Sequence, residues 1–194
     1  MAADRRTNEP RTRTLHPFTN LRTVEEKGPL VITGGKGIYI HDQRGRSYIE
    51  GMSGLGCVSL GFSEERLVEA AAAAMRKLPY YHQFQGRDHE YGQALAEKLL
   101  ALAPAPMSKV FFANSGSEAN DSVVKLVWYY NNAVGRPRKK KIIARQKSYH
   151  GVTVASASLC GLPKMHEAFD LPIPNILHAD CPHYYRFGRA GESE

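Results

Sequence analysis

The sequence predicts an α/β fold in which helices cover a parallel sheet. In the second half of the chain the apolar runs KVFFA (109–113) and KIIAR (141–145) alternate with helical patterns at 117–135 and 151–161. The composition agrees with a globular protein, because 42% of the 194 residues are hydrophobic and 23% are charged. The three cysteines are scattered and odd in number, which argues against a disulfide framework.

The N-terminal part predicts a flexible arm at residues 1–14, followed over residues 15–60 by the N-terminal segment of a small α+β domain. Within it, GIYIHDQRGRSYIEG (37–51) predicts a β-hairpin, because two short β-branched and aromatic segments flank a turn rich in Asp, Arg and Gly. A glycine-rich loop with small polar residues follows at 51–63.

Residues 61–194 predict the first part of a larger domain. The alanine-rich stretch 64–78 has strong helix propensity. A polar and aromatic loop leads to a second helix at 90–104, which ends at its proline. The alternating strands and helices described above complete this region.

The segment NSGSE leads from the first apolar run into a helix and has the composition of an anion site. Ser115 and Glu118 are spaced as in a capping box. A helix N-terminus at the carboxyl end of a strand offers free N–H groups, Ser115 and Ser117 add hydroxyls, and Gly116 permits close backbone approach. This pattern is compatible with a phosphate site, although an ordinary capped helix is the favoured explanation of the segment when it is taken alone.

A second segment, KSYHGVT (147–153), follows the next predicted strand and therefore lies at the same edge of the sheet. Tyr149 offers an aromatic face, His150 a polar edge and Gly151 a tight turn. An aromatic plane beside a phosphate site suits a flat, phosphorylated heteroaromatic cofactor.

The sequence resembles the class III pyridoxal-phosphate aminotransferases, and most of all the branch that acts on ω-amino acids and amines. The resemblance spans residues 15–186, and four segments carry it in the family's order: GPLVITGGKGIYIHDQRGRSYIEGMSGL, FFANSGSEAND, KSYHG and GLPKMHEAFDLP. It implies a fold-type I enzyme with a large cofactor domain, a small domain and active sites at a homodimer interface. It also implies transfer of an amino group from an amine donor to a keto acid such as pyruvate.

The resemblance assigns cofactor roles to the residues already singled out. Gly116 and Ser117 match the phosphate contacts of pyridoxal 5′-phosphate. Tyr149 matches the aromatic residue that stacks on the cofactor ring, with His150 and Gly151 beside it.

The substrate pocket is the part of the site in which this sequence departs from the family. Leu55, Gly56 and Phe84 match residues of the pocket wall, but the ω-branch often has tryptophan where this chain has Gly56. The loss of an indole should enlarge the pocket, so the substrate range need not follow that of the family.

No catalytic residue is assigned in this chain. In the family a lysine bonds covalently to the cofactor and an aspartate pairs with its ring nitrogen, and both belong to segments that follow the matched ones. The sequence thus resembles the N-terminal portion of an aminotransferase that ends inside the cofactor domain, and we expect it to be inactive alone.

Other readings are a truncated remnant with a structural or interaction role and a basic nucleic-acid-binding domain, since the net charge is +7. The basic run 136–147 has no interleaved aromatic residues, which favours a solvated connector and no nucleic-acid partner. His178, Cys181 and His183 lack a fourth ligand at metal-site spacing, so no metal is expected.

The sequence predicts a cytoplasmic protein without a membrane partner. The N-terminus has basic residues but no apolar core after them, unlike a secretory signal. No apolar run is long enough to span a bilayer.

Overall fold

The computed structural model describes residues 12–192, which divide into two compact units, residues 12–89 and residues 90–192. Most of the predicted arm, residues 1–14, lies outside the described residues. The predicted domain boundary at residue 60 refers to the complete domains of the family and stays a prediction.

The first unit contains a three-stranded antiparallel sheet of β1 (Ile32–Lys36), β2 (Tyr39–Asp42) and β3 (Ser47–Ile49). The predicted hairpin is confirmed as β2 and β3. The strand β1 was not predicted, because its segment ITGGK contains two glycines and therefore has low strand propensity. The pairing of β1 with β2 is irregular between Ile32 and Gly34.

The turn between β2 and β3 is closed by the carboxylate of Asp42, which is only 3% exposed. It accepts hydrogen bonds from Arg44 N and Arg46 N, both at 2.9 Å, from Arg46 Nε at 2.7 Å and from the Tyr48 hydroxyl at 3.0 Å. Burial alone would raise the pKa of Asp42, but these hydrogen bonds outweigh it and lower the pKa from 3.8 to about 2.

One helix precedes this sheet in the sequence, and two helices follow it. The helix α1 (Leu21–Lys27) begins after Asn20, whose side chain accepts a hydrogen bond from Thr23 N. A short helical turn, α2 (Ser53–Gly56), interrupts the predicted glycine-rich loop. The predicted alanine-rich helix is confirmed as α3 (Glu65–Lys77).

The second unit contains a parallel strand pair with helices around it, which confirms the predicted α/β architecture. In chain order its elements are α4 (Glu90–Leu102), α5 (Gly116–Ala133), β4 (Ile142–Arg145), α6 (Val154–Leu159), a 3₁₀ turn (Pro163–Met165), β5 (Ile176–Ala179) and α7 (Tyr184–Phe187). The register of β4 and β5 runs from Ile142 opposite Ile176 to Arg145 opposite Ala179.

One face of this strand pair forms the core of the second unit. Val124 of α5, Ala144 of β4, Leu159 of α6 and Ile176 of β5 are all buried against one another. The helices α5 and α6 are therefore packed together over the strands, and this packing places the start of α5 beside the loop that leaves β4.

Two predictions about this unit need correction. The strand predicted at 109–113 is wrong, because no strand in the described part of the chain pairs with these residues and a β-ladder requires a partner. The helix predicted at 151–161 is shorter, since Gly151 has a φ of +135° and Cys160 returns to an extended backbone.

Candidate cofactor site

The N-terminus of α5 presents unpaired backbone donors. Ser115 is the N-cap and its Oγ accepts a hydrogen bond from Glu118 N at 3.2 Å. Glu118 Oε2 accepts from Asn114 N at 2.9 Å, one residue before the position expected for a capping box. Among the described residues, the N–H groups of Gly116 and Ser117 have no acceptor. These two groups point out of an 18-residue helix whose dipole favours an anion at this end.

The hydroxyl of Ser117 joins this helix to the loop after β4. Its Oγ accepts a hydrogen bond from Val152 N at 3.1 Å. A serine hydroxyl also carries one proton to donate, and no acceptor for that proton lies among residues 12–192. The Ser117 hydroxyl is thus oriented by Val152 and retains a free donor for an anion.

The loop that carries Tyr149 is held by two further contacts, one to α5 and one to the end of α6. Asn120 Nδ2 donates to His150 O at 2.7 Å. His150 N in turn donates to Cys160 Sγ at 3.0 Å, and Cys160 is fully buried. The structure therefore brings His150 and Gly151 next to the predicted phosphate donors.

Gly151 approaches α5 closely. A Cβ atom at this position would overlap Ser117 Oγ and would lie 2.8 Å from Ser156 Cβ. Its φ of +135° is also a conformation that favours glycine. At Gly116, by contrast, an added Cβ would meet nothing within 4 Å, so that side of the helix end is open to a ligand.

Tyr149 has the exposure that a ring-stacking residue requires. It is 60% exposed, and within residues 12–192 its ring has no aromatic or cationic partner. Its neighbour His150 is half-buried and is fixed through its backbone.

The predicted pocket residues Leu55, Gly56 and Phe84 belong to the first unit, so their place on a pocket wall stays a prediction. Leu55 and Phe84 are 81% and 67% exposed. Leu55 and Gly56 have φ values of +58° and +85°, so this turn itself favours glycine at position 56.

The histidines and cysteine considered for metal binding make separate contacts. His178 Nε2 lies 3.3 Å from Leu159 O, and His183 packs edge-on against Tyr185 and Phe187. The part of the chain that the structure describes holds no cluster of three or more ligand side chains suited to a metal. None of its helices is long and apolar enough to cross a membrane.

Sequence reasoning missed the residues that join the two halves of this site. The Ser156 hydroxyl lies within hydrogen-bonding distance of Asp121 Oδ1 and of the backbone oxygen of Ser117. Asp121 stands one turn after Ser117, so the helical period could have placed both on one face. No local pattern points to Ser156 as their partner.

The site fits pyridoxal 5′-phosphate by the chemistry of its donors. A phosphate needs convergent N–H and O–H groups, and Gly116 and Ser117 supply them beside an open surface. A pyridine ring needs a flat apolar face, and Tyr149 offers one on the adjoining loop. When bound, this cofactor supplies an electron sink for chemistry at the carbon that bears an amino group.

Comparison with known proteins agrees with this fit. The family model Aminotransferase class-III matches residues 22–193. Gamma-aminobutyrate transaminase 1, mitochondrial, of Oryza sativa subsp. japonica is 56% identical over 181 residues, which are 93% of this chain and 35% of the relative. Gamma aminobutyrate transaminase 3, chloroplastic, of Solanum lycopersicum is 54% identical, again over 93% of this chain and 35% of the relative.

The solved structures that resemble this chain are also transaminases. The omega transaminase from Pseudomonas jessenii in complex with PMP has a TM-score of 0.90 and 58% identity, covering 93% of this chain and 40% of that chain. A thermostable omega transaminase variant with tryptophan replaced by glycine, engineered for asymmetric synthesis of enantiopure bulky amines, is 60% identical with a TM-score of 0.90 and the same coverage. The chain spans 35% of the length of the two gamma-aminobutyrate transaminases and 40% of the length of the two solved structures.

The fold, the phosphate-type donors and the extent of the match lead to one assignment. The chain belongs to the class III aminotransferases, which are pyridoxal-phosphate-dependent transferases of fold type I.

Proposed function

We propose that the protein carrying this chain transfers an amino group from an amine or ω-amino acid to a keto acid such as pyruvate. The observation that carries the proposal is the pair of contacts from Ser117 Oγ to Val152 N and from Asn120 Nδ2 to His150 O. These contacts hold the anion-binding end of α5 and the Tyr149 loop as one site. Membership of the class III family supports the reaction type.

The residues of this chain bind and orient the cofactor in the proposed function. The N–H groups of Gly116 and Ser117 and the Ser117 hydroxyl hold the phosphate, while Ser115 caps the helix that presents them. Tyr149 would lie against the ring, and Gly151 allows the loop to approach the phosphate donors. This arrangement restricts where the reactive end of the cofactor can point.

The chain by itself is proposed to be inactive, because it lacks a lysine and an aspartate in the family's reactive context. The complete site is proposed to form at a homodimer interface in the whole protein.

The substrate is proposed to be a bulkier amine than the ω-branch usually accepts. Gly56 carries no side chain, and its positive φ suits the turn that it occupies. The similar variant with a tryptophan-to-glycine change was engineered for bulky amines, which supports the same effect of an absent indole here.

The reaction is tested by incubating the complete protein that carries this sequence with pyridoxal 5′-phosphate, pyruvate and a series of amines, and measuring alanine. Alanine formed in proportion to the amine consumed is the expected result. Cofactor binding without alanine from any amine would instead favour the non-catalytic remnant. A cytoplasmic location is part of the proposal and is checked by fractionating cells that produce the protein.

The inactivity of the chain alone is tested by adding pyridoxal 5′-phosphate, reducing with borohydride and mapping modified lysines by mass spectrometry. We expect no single lysine within residues 1–194 to be labelled selectively. Selective labelling of one lysine would contradict the assignment of the reactive lysine to a segment outside this chain.

A further inference from the structure

One carboxylate oxygen of Asp121 lies within hydrogen-bonding distance of three donor atoms. This atom, Oδ1, lies 2.7 Å from Thr153 Oγ1, 3.1 Å from Ser156 N and 2.9 Å from Ser156 Oγ. Asp121 is in α5, whereas its partners belong to the start of α6. The contacts join residues 32 and 35 positions apart in sequence, so they are tertiary contacts and not a local turn.

These contacts replace a missing helix cap. Thr153 is the N-cap of α6, but its own side chain makes no capping hydrogen bond. The Ser156 N–H would remain unpaired at the third position of this helix, and Asp121 accepts it instead. Because α6 has only six residues, it cannot be stable from its own backbone bonds, and its position depends on such contacts.

The same hydrogen-bond network includes Ser117, one of the proposed phosphate donors. The Ser156 hydroxyl lies within hydrogen-bonding distance of both Asp121 Oδ1 and Ser117 O, the latter at 2.8 Å. Ser117 stands one helical turn before Asp121, and its Oγ is fixed by Val152 N, the residue preceding Thr153. Asp121 therefore holds in place the backbone that orients the Ser117 hydroxyl.

We propose that Asp121 is a positioning residue that sets the geometry of the phosphate donors by holding the start of α6 and the Gly151–Thr153 backbone against α5. The inference rests on the proposed phosphate site at Gly116 and Ser117. It assigns Asp121 no contact with the cofactor. Its influence passes through Ser156, Val152 and the Ser117 hydroxyl.

A positioning role and a simple charge effect have opposite consequences for anion binding. A carboxylate near the site repels a phosphate, so its removal would strengthen binding if charge were its only influence. If Asp121 positions the donors, its removal weakens binding although a repulsive charge is lost. The sign of the change therefore separates the two explanations.

The test compares the full chain with the variants Asp121→Ala and Asp121→Asn, using inorganic phosphate and pyridoxal 5′-phosphate as separate probes. We expect Asp121→Ala to raise both dissociation constants by about tenfold, the effect of losing hydrogen bonds to a charged group. Asp121→Asn keeps an acceptor oxygen and should recover a large part of this loss. Asp170→Asn is the matched control, because Asp170 is exposed and has a φ of +53° that asparagine tolerates, so both constants should stay unchanged.

A second measurement follows the geometry without a ligand. Amide hydrogen exchange at Val152 should accelerate in Asp121→Ala while exchange in the centre of α5 stays slow. Equal exchange at Val152 together with equal dissociation constants would overturn the role of Asp121. Tighter phosphate binding in both variants would also overturn it, in favour of a charge effect.

The outcomes distinguish this inference from the proposed site itself. If the unaltered chain binds neither probe and the complete holoenzyme retains its cofactor after Ser117→Ala, the proposed phosphate site is wrong and the inference falls with it. If the unaltered chain binds both probes and Asp121→Ala binds them equally well, the site stands and only the inference fails.

Discussion

Replacing Gly151 by alanine is the sharpest test of the site, because this residue allows the Tyr149 loop to lie on α5. The new Cβ would overlap Ser117 Oγ and approach Ser156 Cβ to 2.8 Å. The strained backbone costs about 1–3 kcal/mol and the steric overlap a similar amount, for a total of about 2–6 kcal/mol. This is a large fraction of the roughly 5–15 kcal/mol that stabilises a typical domain.

The same substitution should weaken phosphate binding. The Ser117 hydroxyl must move away from the added methyl group, and the loss of one hydrogen bond to a charged group costs about 1.5–3 kcal/mol, or roughly 10- to 150-fold in affinity. Urea unfolding measures the stability, and titration with inorganic phosphate measures the affinity at a temperature where the variant is folded.

Gly116→Ala is the matched control for this experiment. Its Cβ would meet nothing within 4 Å and Gly116 has no positive φ, so neither steric overlap nor backbone strain opposes alanine there. Gly116→Ala should therefore unfold at the same or a higher urea concentration than the unaltered chain. Equal stability of the two alanine variants would refute the steric reasoning.

Three other outcomes are expected. The lowered pKa of Asp42 means that its contribution to stability is present above about pH 4 and is lost as pH falls toward 2. Urea unfolding of the first unit between these pH values should show this loss, and Asp42→Asn should abolish that pH dependence. Ser117→Ala should weaken phosphate binding by roughly tenfold in equilibrium dialysis, and an unchanged affinity would exclude its hydroxyl as a donor. Gly56→Trp should lower kcat/KM of the complete enzyme for bulky amines more than for small ones, and an equal loss for both would argue against a wider pocket.

Local patterns in the sequence were sufficient to predict those helices and strands whose formation depends on residues close together in the chain. The hairpin, the helices α3 and α4 and the start of α5 follow from turn residues, propensity and caps that act over a few positions. The hydroxyls and glycine of the phosphate segment were visible for the same reason. The strand predicted at 109–113 failed because an apolar run indicates a strand only where a partner completes the ladder.

What the sequence by itself determined is which residues supply the phosphate donors and the aromatic face. Only the tertiary structure decided how those two groups meet, because the joining contacts connect residues 30 to 39 positions apart. The joint role of Asp121, Ser156 and Cys160 was not predicted, since a side chain that acts through a distant partner is recognised only when that partner is placed beside it. The turn at Gly151 was predicted from the sequence. The steric requirement for glycine was not, because it exists only where α5 lies against the loop.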